Sequence, residues 1–321
     1  MSDPSSETVA EKKEHSFLVN LLIRLVKEKP LGTVGGVITL ILLFTGIFAD
    51  FIAPYGMNET DTGHFLKPPS EIHWLGTDNL GRDILSRVIY GARVSVIIGL
   101  TASAGATLLS VIIGILSGYY GGKFDLIMQR IVDAWMCFPG LILLMVLMSV
   151  IGIGVWQIII VLSLRWGFSG SRIIRGAVMS LKENVYIQAG VAIGCSTNRI
   201  LLRHILPNLM APTIILFTTR VPDIIITEAA LSFLGFGIPP PTPTWGGMLS
   251  GSARQYMMRA PWMVIWPGLA LSTVVYGINM FGDALRDLLD PKLRGGAGRY
   301  GIKAKGYAKR LARFSKVSPT N

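Results

Sequence analysis

Long runs without a charged residue alternate with polar stretches along this 321-residue chain. Pro30 to Ala49 carries no charge, nor does Val94 to Gly122, nor Ala134 to Leu164, which Gly152-Ile153-Gly154 divides. An α-helix rising about 1.5 Å per residue needs roughly 20 apolar residues to cross about 30 Å of hydrocarbon. The pattern predicts six spans: Pro30 to about Ile52, Val94–Gly122, Leu126–Ile151, Trp156–Ile174, Leu209–Phe236 and Pro261–Gly282. The third must accept Arg130 and Asp133, the fourth Arg165 and Arg172, and the fifth Arg220, Pro222, Asp223 and Glu228.

Two connecting segments are too long for plain turns. The first, 53–93, holds Trp74-Leu75-Gly76-Thr77-Asp78 and Gly81-Arg82-Asp83. It predicts a glycine-rich turn leading into a helix, Ile84 to Tyr90, lying on the membrane surface. The second, 175–208, predicts two short helices at an angle. Leu181 to Ile193 is helical, Gly194 stops it because glycine tolerates positive φ, and Ser196 or Thr197 caps a second helix through Arg203. Pro207 then restarts the chain toward the fifth span.

Composition agrees with a membrane protein. Hydrophobic residues make up 51% and charged residues 15%, where soluble domains carry about 25% charged. The net charge is +11, but nine basic residues and no acid lie between Pro291 and Asn321, leaving +2 elsewhere. A basic tail after an apolar segment reads as cytoplasmic and near anionic lipid rather than as a nucleic-acid site. Basic residues also precede the first span (Arg24, Lys27, Lys29) and occupy the second and fourth connections (Lys123; Lys182, Arg199, Arg203). Both termini are therefore expected inside. The polar start, Met1 to Ser16, has four acids and is no signal peptide. The expected organisation is an N-terminal cytoplasmic segment, 1–30, a six-span domain, 31–292, and a basic cytoplasmic tail, 293–321.

Catalytic motifs are missing. Gly121-Gly122-Lys123 is followed by Phe124 and lacks the earlier glycine of a phosphate loop, so ATP is not expected on this chain. Gly167-Phe168-Ser169-Gly170-Ser171 lacks the last glycine of a nucleophile elbow. His64 and His73 share the outer segment, but no third ligand has suitable spacing. They read as two loop histidines, and no metal site is expected. Cys137 and Cys195 show no disulfide or metal spacing. A membrane-embedded enzyme would need a catalytic set at one depth, and none is visible.

Within the inner connection, Gln188-Ala189-Gly190, three residues, Gly194, nine residues, then His204-Ile205-Leu206-Pro207 resembles the Glu-Ala-Ala loop of bacterial ABC importer membrane subunits. Four further strings narrow the likeness. They are His73 to Asp83 with Gly91-Ala92-Arg93; Arg130 to Asp133 with Phe138-Pro139; Glu228 to Gly235 with Pro240-Pro241 and Trp245-Gly246; and Asn279 to Pro291. Together they resemble the C-type permeases of the dipeptide/oligopeptide/nickel importers, over about Leu31 to Leu293.

The resemblance implies an all-α, six-span type I importer permease (MetI-like) fold. It also implies a second, B-type permease as heterodimer partner, two cytoplasmic ATPases that carry ATP-Mg, and an extracytoplasmic solute-binding protein, in a prokaryotic plasma membrane. The implied cargo is a di- or oligopeptide, with nickel or a nickel chelate as the alternative. An ATPase-independent secondary transporter or channel is the remote one. The loop around Gly194 would dock on an ATPase through Gln188, Ala189, Gly190, Gly194, Arg199, Leu206 and Pro207. Gln188, Gly190 and His204 depart from the family pattern, and the first of these removes a charge.

At about 100° per residue, Arg220, Asp223 and Glu228 fall within one broad helix face. Charges at the bilayer centre cost about 2.5–3.5 kcal/mol each on insertion scales. They are read either as a pathway lining or as a structural ion pair. Arg130 and Asp133, also i and i+3, are read as a structural pair near the inner surface. Gly32/Gly36 and Gly114/Gly118/Gly122 permit close helix contact. Met136, Met145 and Met148 read as packing or lipid-facing residues.

Overall fold

The computed structural model describes residues 17–289, and all its named elements are helices. In chain order they are α1 (Phe17–Glu28), α2 (Pro30–Ile47), α3 (Ala49–Ile52), α4 (Ile84–Tyr120), α5 (Gly122–Met136), α6 (Gly140–Ile151) and α7 (Val155–Lys182). After them come α8 (Val185–Ala192), α9 (Thr197–Arg199), a π-helical turn (Ile200–Ile205), α10 (Leu206–Asn208), α11 (Met210–Phe233), α12 (Trp245–Met248), α13 (Ser252–Tyr256) and α14 (Trp262–Leu289). The expected tail 293–321 lies outside the described residues, as do the first 16.

Three helices, α2, α4 and α14, are each long and apolar enough to cross a membrane. The pair α5–α6, bent by 91°, and the pair formed by Thr197–Asn208 and α11, bent by 58°, bring the number to five if each pair is one span. Helix α7 has 28 residues, but Arg165, Arg172, Arg175 and Lys182 lower its apolarity. It nevertheless lies at the centre of the packing, with Ile158, Val161, Leu162 and Ile174 buried. The chain is a multi-pass helical membrane protein.

Two expectations need correction. The third span is not one helix, because Pro139 lacks an N–H and takes ψ of 127°, ending α5 before α6 begins. Ile84 to Tyr90 is no separate surface helix but the first turns of the 37-residue α4. In the N-terminal segment, 1–30, helix α1 packs Leu25 against Ala284 and Leu288 of α14.

The most extensive helix contact is α4 on α7, followed by α2 on α14, with α11 against both α4 and α14. Lipid removes most of the hydrophobic drive for helix association, so close backbone approach must supply contact energy. Helix α4 is built for this, burying Gly91, Ala92, Gly99, Ala102, Ala106, Gly114 and Gly118. A Cβ on Gly114 would stand 2.6 Å from the Ile174 Cβ, and one on Gly35 would stand 2.4 Å from the Gly277 carbonyl oxygen. Two serines bond across the contact to backbone carbonyls. Ser110 donates to the Gly167 carbonyl at 2.9 Å, and Ser163 donates to that of Ala102 at 3.2 Å. Gly122 has no packing neighbour and serves the α4–α5 turn at φ 53°.

The turn expected from Gly76 to Asp83 is a tight hydrogen-bonded knot that starts α4. Asp83 caps the helix, accepting from the Ser86 N–H and hydroxyl, both at 2.8 Å. Asp78 accepts from the N–H groups of Leu80 and Arg82 and from the Arg82 side chain at 2.7 Å. The Trp262 indole donates to the Thr77 carbonyl and ties the knot to α14.

Replacing Gly114 by Ala inserts a methyl against Ile174 and the Ser171 carbonyl. Overpacking costs about 1–3 kcal/mol, against a helix-propensity gain of about 1 kcal/mol. Gly114→Ala is expected to lower the thermal midpoint of the detergent-purified protein. Gly176→Ala, whose Cβ meets nothing within 4 Å, is expected to leave it unchanged or raise it. Tryptophan fluorescence on heating reads both.

Candidate coupling loop and membrane-depth charges

Helix α7 runs straight into the inner connection as far as Lys182, and Asn184 then begins α8. The end of α8 is a Schellman turn. The Cys195 N–H donates to the Gly190 carbonyl, and the Gly194 N–H donates to that of Val191, both at 3.0 Å. Gly194 has φ 81°, in the left-handed region, and its missing Cβ would touch nothing. Its glycine requirement is therefore conformational and not steric. Gly190 has no such need, since its φ is ordinary and a Cβ there meets open space.

Ser196 precedes α9, but no side-chain hydrogen bond caps that helix. The second short helix continues as the π-turn and α10, with Pro207 in the first turn of α10. Helix α11 starts at Met210, after the 58° bend.

One side chain seats α8 on the protein. Ile187 is buried in a cluster with Ile115 of α4, Ile174 and Val178 of α7, Ile200 and Ile205 of the π-turn, and Leu216 of α11. The rest of α8 faces outward. Val185 and Ile193 are each 81% exposed, Val191 is exposed, and Leu202 joins them from the π-turn. Gln188, Ala189, Arg199 and Pro207 are exposed, while Leu206 packs partly against the cluster. An exposed apolar patch of this kind marks an interaction surface. The sequence did not single out Ile187, because Val185–Ala192 is apolar on nearly every side and carries no stripe to follow.

The Gln188 side-chain amide donates to the Glu183 carbonyl at 3.2 Å, bridging the end of α7 and the middle of α8. A carboxylate could not make that bond, so the uncharged residue has a local use. His204 accepts a hydrogen bond on its carbonyl from the Asn208 side chain at 2.6 Å, within the loop itself.

Of the three charges expected on one face of α11, the structure joins two. Arg220 donates to Asp223 at 3.3 Å, and the Asp223 side chain is 42% exposed. The Arg220 guanidinium also lies over the Trp166 ring, 4.5 Å from its centroid, and Arg165 lies 5.3 Å from the same ring. Glu228 is not part of this group. It is 1% exposed and accepts from the Ser232 hydroxyl at 2.6 Å, inside the bundle. The helical-face argument places directions only, and packing of α11 against α4 and α12 closes one side of the arc.

Sequence reading had not joined Arg165 and Trp166 to the α11 charges, although Arg165 stands at the end of an uncharged run. Asp133 of α5 bridges Arg130, at 3.4 Å, and Arg172 of α7. Asp125 takes a bidentate Arg175 and the Ser117 hydroxyl, and Arg175 Nε lies at 2.6 Å. These pairs fix the amphipathic α5 to α7 and α4, so Arg130–Asp133 extends to a third residue.

Comparison with known proteins places this architecture. Residues 110–295 match the family described as the binding-protein-dependent transport system inner membrane component. Residues 18–69 match the N-terminal TM domain of oligopeptide transport permease C. The chain is 39% identical over 269 residues to the dipeptide transport system permease protein DppC of Alkalihalophilus pseudofirmus, covering 84% of this chain and 88% of that one. It is 39% identical over 283 residues to the oligopeptide transport system permease protein OppC of Bacillus subtilis, covering 88% and 92%. It is likewise 39% identical over 273 residues to the glutathione transport system permease protein GsiD of Escherichia coli, covering 85% and 90%. With its family-matching segment spanning α7, the inner loop, α11 and α14, the chain belongs to the family of binding-protein-dependent transport system inner membrane components.

Proposed function

We propose that this chain is one permease subunit of an ATP-driven importer of short peptides, in the plasma membrane of a prokaryote with both termini cytoplasmic. A second, B-type permease completes the pathway. Two cytoplasmic ATPases bind and hydrolyse ATP-Mg, and an extracytoplasmic binding protein delivers cargo. The chain performs no covalent chemistry and holds no cofactor. Residues 31–292 form the permease domain, and 175–208 form its coupling loop. The names of the relatives, which cite dipeptide, oligopeptide and glutathione transport, support the cargo class.

The observation that carries the reading is the seating of α8. Ile187 locks it to a cluster shared by α4, α7 and α11, while Val185, Val191 and Ile193 face outward. An ATPase gripping that patch moves three membrane helices at once, because packed interiors transmit displacement instead of absorbing it. Gln188, Ala189 and Gly190 sit on the gripped helix, Gly194 sets its end, Arg199 adds positive charge beside it, and Leu206 and Pro207 lead to α11. In the pathway, Asp223 is placed to meet a peptide amino terminus, with the guanidinium groups of Arg220 and Arg165 near for the carboxylate. Glu228 contributes through packing within the bundle.

Purification from the native host in mild detergent is expected to recover a second permease and two ATPases. Recovery of the chain alone, transporting in proteoliposomes without ATP, overturns the reading. In the reconstituted complex, Gly194→Val places a β-branched residue at positive φ, a strain of about 1–2 kcal/mol. It is expected to depress cargo-stimulated ATP hydrolysis and uptake together while assembly persists. Gln188→Glu loses one exposed hydrogen bond, worth about 0.5–1.5 kcal/mol, and is expected to keep uptake within about threefold of the parent. Asp223→Asn removes a charge-assisted contact worth about 1.5–3 kcal/mol. It is expected to cut dipeptide uptake about tenfold or more, with basal ATP hydrolysis unchanged.

A further inference from the structure

The outer segment holds a second group of side chains that neither coupling nor the pathway uses. Asp61, His64 and His73 each present one ligand atom, and these atoms all lie within 4.8 Å of one another. The His64 Nδ1 is 2.7 Å from Asp61 Oδ2, and the His73 Nε2 is 3.8 Å from the same oxygen. His73 is 3% exposed, and its Nε2 has no hydrogen-bond partner. A buried ring nitrogen left unpaired costs desolvation energy and calls for an explanation.

The other ring nitrogen supplies it. His73 Nδ1 is 3.0 Å from Asp83 Oδ1, and Asp83 is itself fixed by the Ser86 N–H and hydroxyl. A carboxylate at Nδ1 holds the proton there and leaves the Nε2 lone pair directed toward Asp61 and His64. That is the carboxylate–histidine arrangement that orients and strengthens a metal ligand. The Asp61 carboxylate is positioned by the Gly63 N–H at 3.0 Å.

We propose that Asp61, His64 and His73 bind a divalent transition-metal ion of the zinc class, with Asp83 as the group that orients His73. Two imidazoles and one carboxylate suit a borderline cation better than calcium or magnesium, which prefer oxygen alone. Three protein ligands leave a position for water, and a cavity of about 240 Å³ beside His73 and Asp61 has room for it. Bonds of about 2.0–2.2 Å place tetrahedral ligands roughly 3.3–3.5 Å apart. His64 and Asp61, 2.7 Å apart, must therefore separate slightly, while His73 must draw in from 3.8 Å. Asp61 and His64 lie on the partly exposed side of the loop, where such movement is small and unobstructed. The bound ion would join residues 61–64 to His73 and, through Asp83, to the start of α4. It would pin the outer loop independently of which solute is carried.

The test uses the full chain with its partner subunits, purified on a tag without histidine, stripped with chelator and titrated with zinc by calorimetry. One binding event is expected in the parent protein. His64→Gln and Asp61→Asn should each weaken it at least tenfold, and His204→Gln, on the inner loop, should not change it. Zinc should also slow protease cleavage within residues 61–75 of the parent and have no such effect on His64→Gln. Both altered residues are partly exposed, so loss of binding does not require loss of fold. Absence of zinc binding to the parent, or binding that His64→Gln and Asp61→Asn leave unchanged, overturns the proposal.

Discussion

Everything in this protein hangs on how closely α4 approaches α7. Within lipid, apolar side chains gain little by touching each other instead of acyl chains. Tight backbone contact and satisfied polar groups must then supply the stabilisation. Small residues recur along the buried face of α4, and Ser110 and Ser163 donate across the contact to backbone carbonyls. This helix is also the link between the two sides of the membrane. Its first turn is capped by Asp83 of the outer knot, and near its last turn Ser117 donates to Asp125, which Arg175 of α7 grips. A helix tied at both ends and packed along its length moves as a rod.

The loop at 175–208 packs against α4 as well. Helix α8 is only 8 residues long, far below the length at which an isolated helix is stable in water. Its persistence depends on the ends and on one anchor. Asn184 starts it, the Schellman turn at Gly194 closes it, and Ile187 inserts it among residues of α4, α7 and α11. Gln188 fits this arrangement, because its amide reaches back to the Glu183 carbonyl and stiffens the joint with α7. The missing family carboxylate is therefore exchanged for a contact within the chain, and the apolar patch of Val185, Val191 and Ile193 provides the outward surface.

The elements that sequence made legible are those ruled by local chemistry. Charge-free runs located α2, α4 and α14, and the positive-φ turn at Gly194 and the proline ahead of α11 were readable from residue type alone. What escaped was tertiary. The bend at Pro139 turned one expected span into two helices, since an apolar run does not record the direction of its axis. Ile84–Tyr90 looked separate because a turn of glycines and charges, Gly76 to Asp83, precedes it, yet Asp83 caps one continuous helix that runs on to Tyr120. Glu228 shares an arc with Arg220 and Asp223 on a helical wheel, but packing decides which part of an arc is open. Asp61 sits three residues before His64, and only the folded loop brings His73 to both.

The charges at membrane depth bear on why such a chain works with a partner. Around Trp166 lie two guanidinium groups, Arg165 and Arg220, and one carboxylate, Asp223. The ring face attracts both cations, worth about 0.5–2 kcal/mol per contact, and Asp223 neutralises Arg220. Against an insertion cost of about 2.5–3.5 kcal/mol for each charge, these contacts do not balance the set within this chain. One positive charge remains in excess, beside a carboxylate that is still 42% exposed. Water in a pathway, a facing permease or the charged ends of a passing peptide can complete the balance, whereas lipid cannot. The side of α7 and α11 that carries the cluster therefore calls for water or protein against it, and not acyl chains.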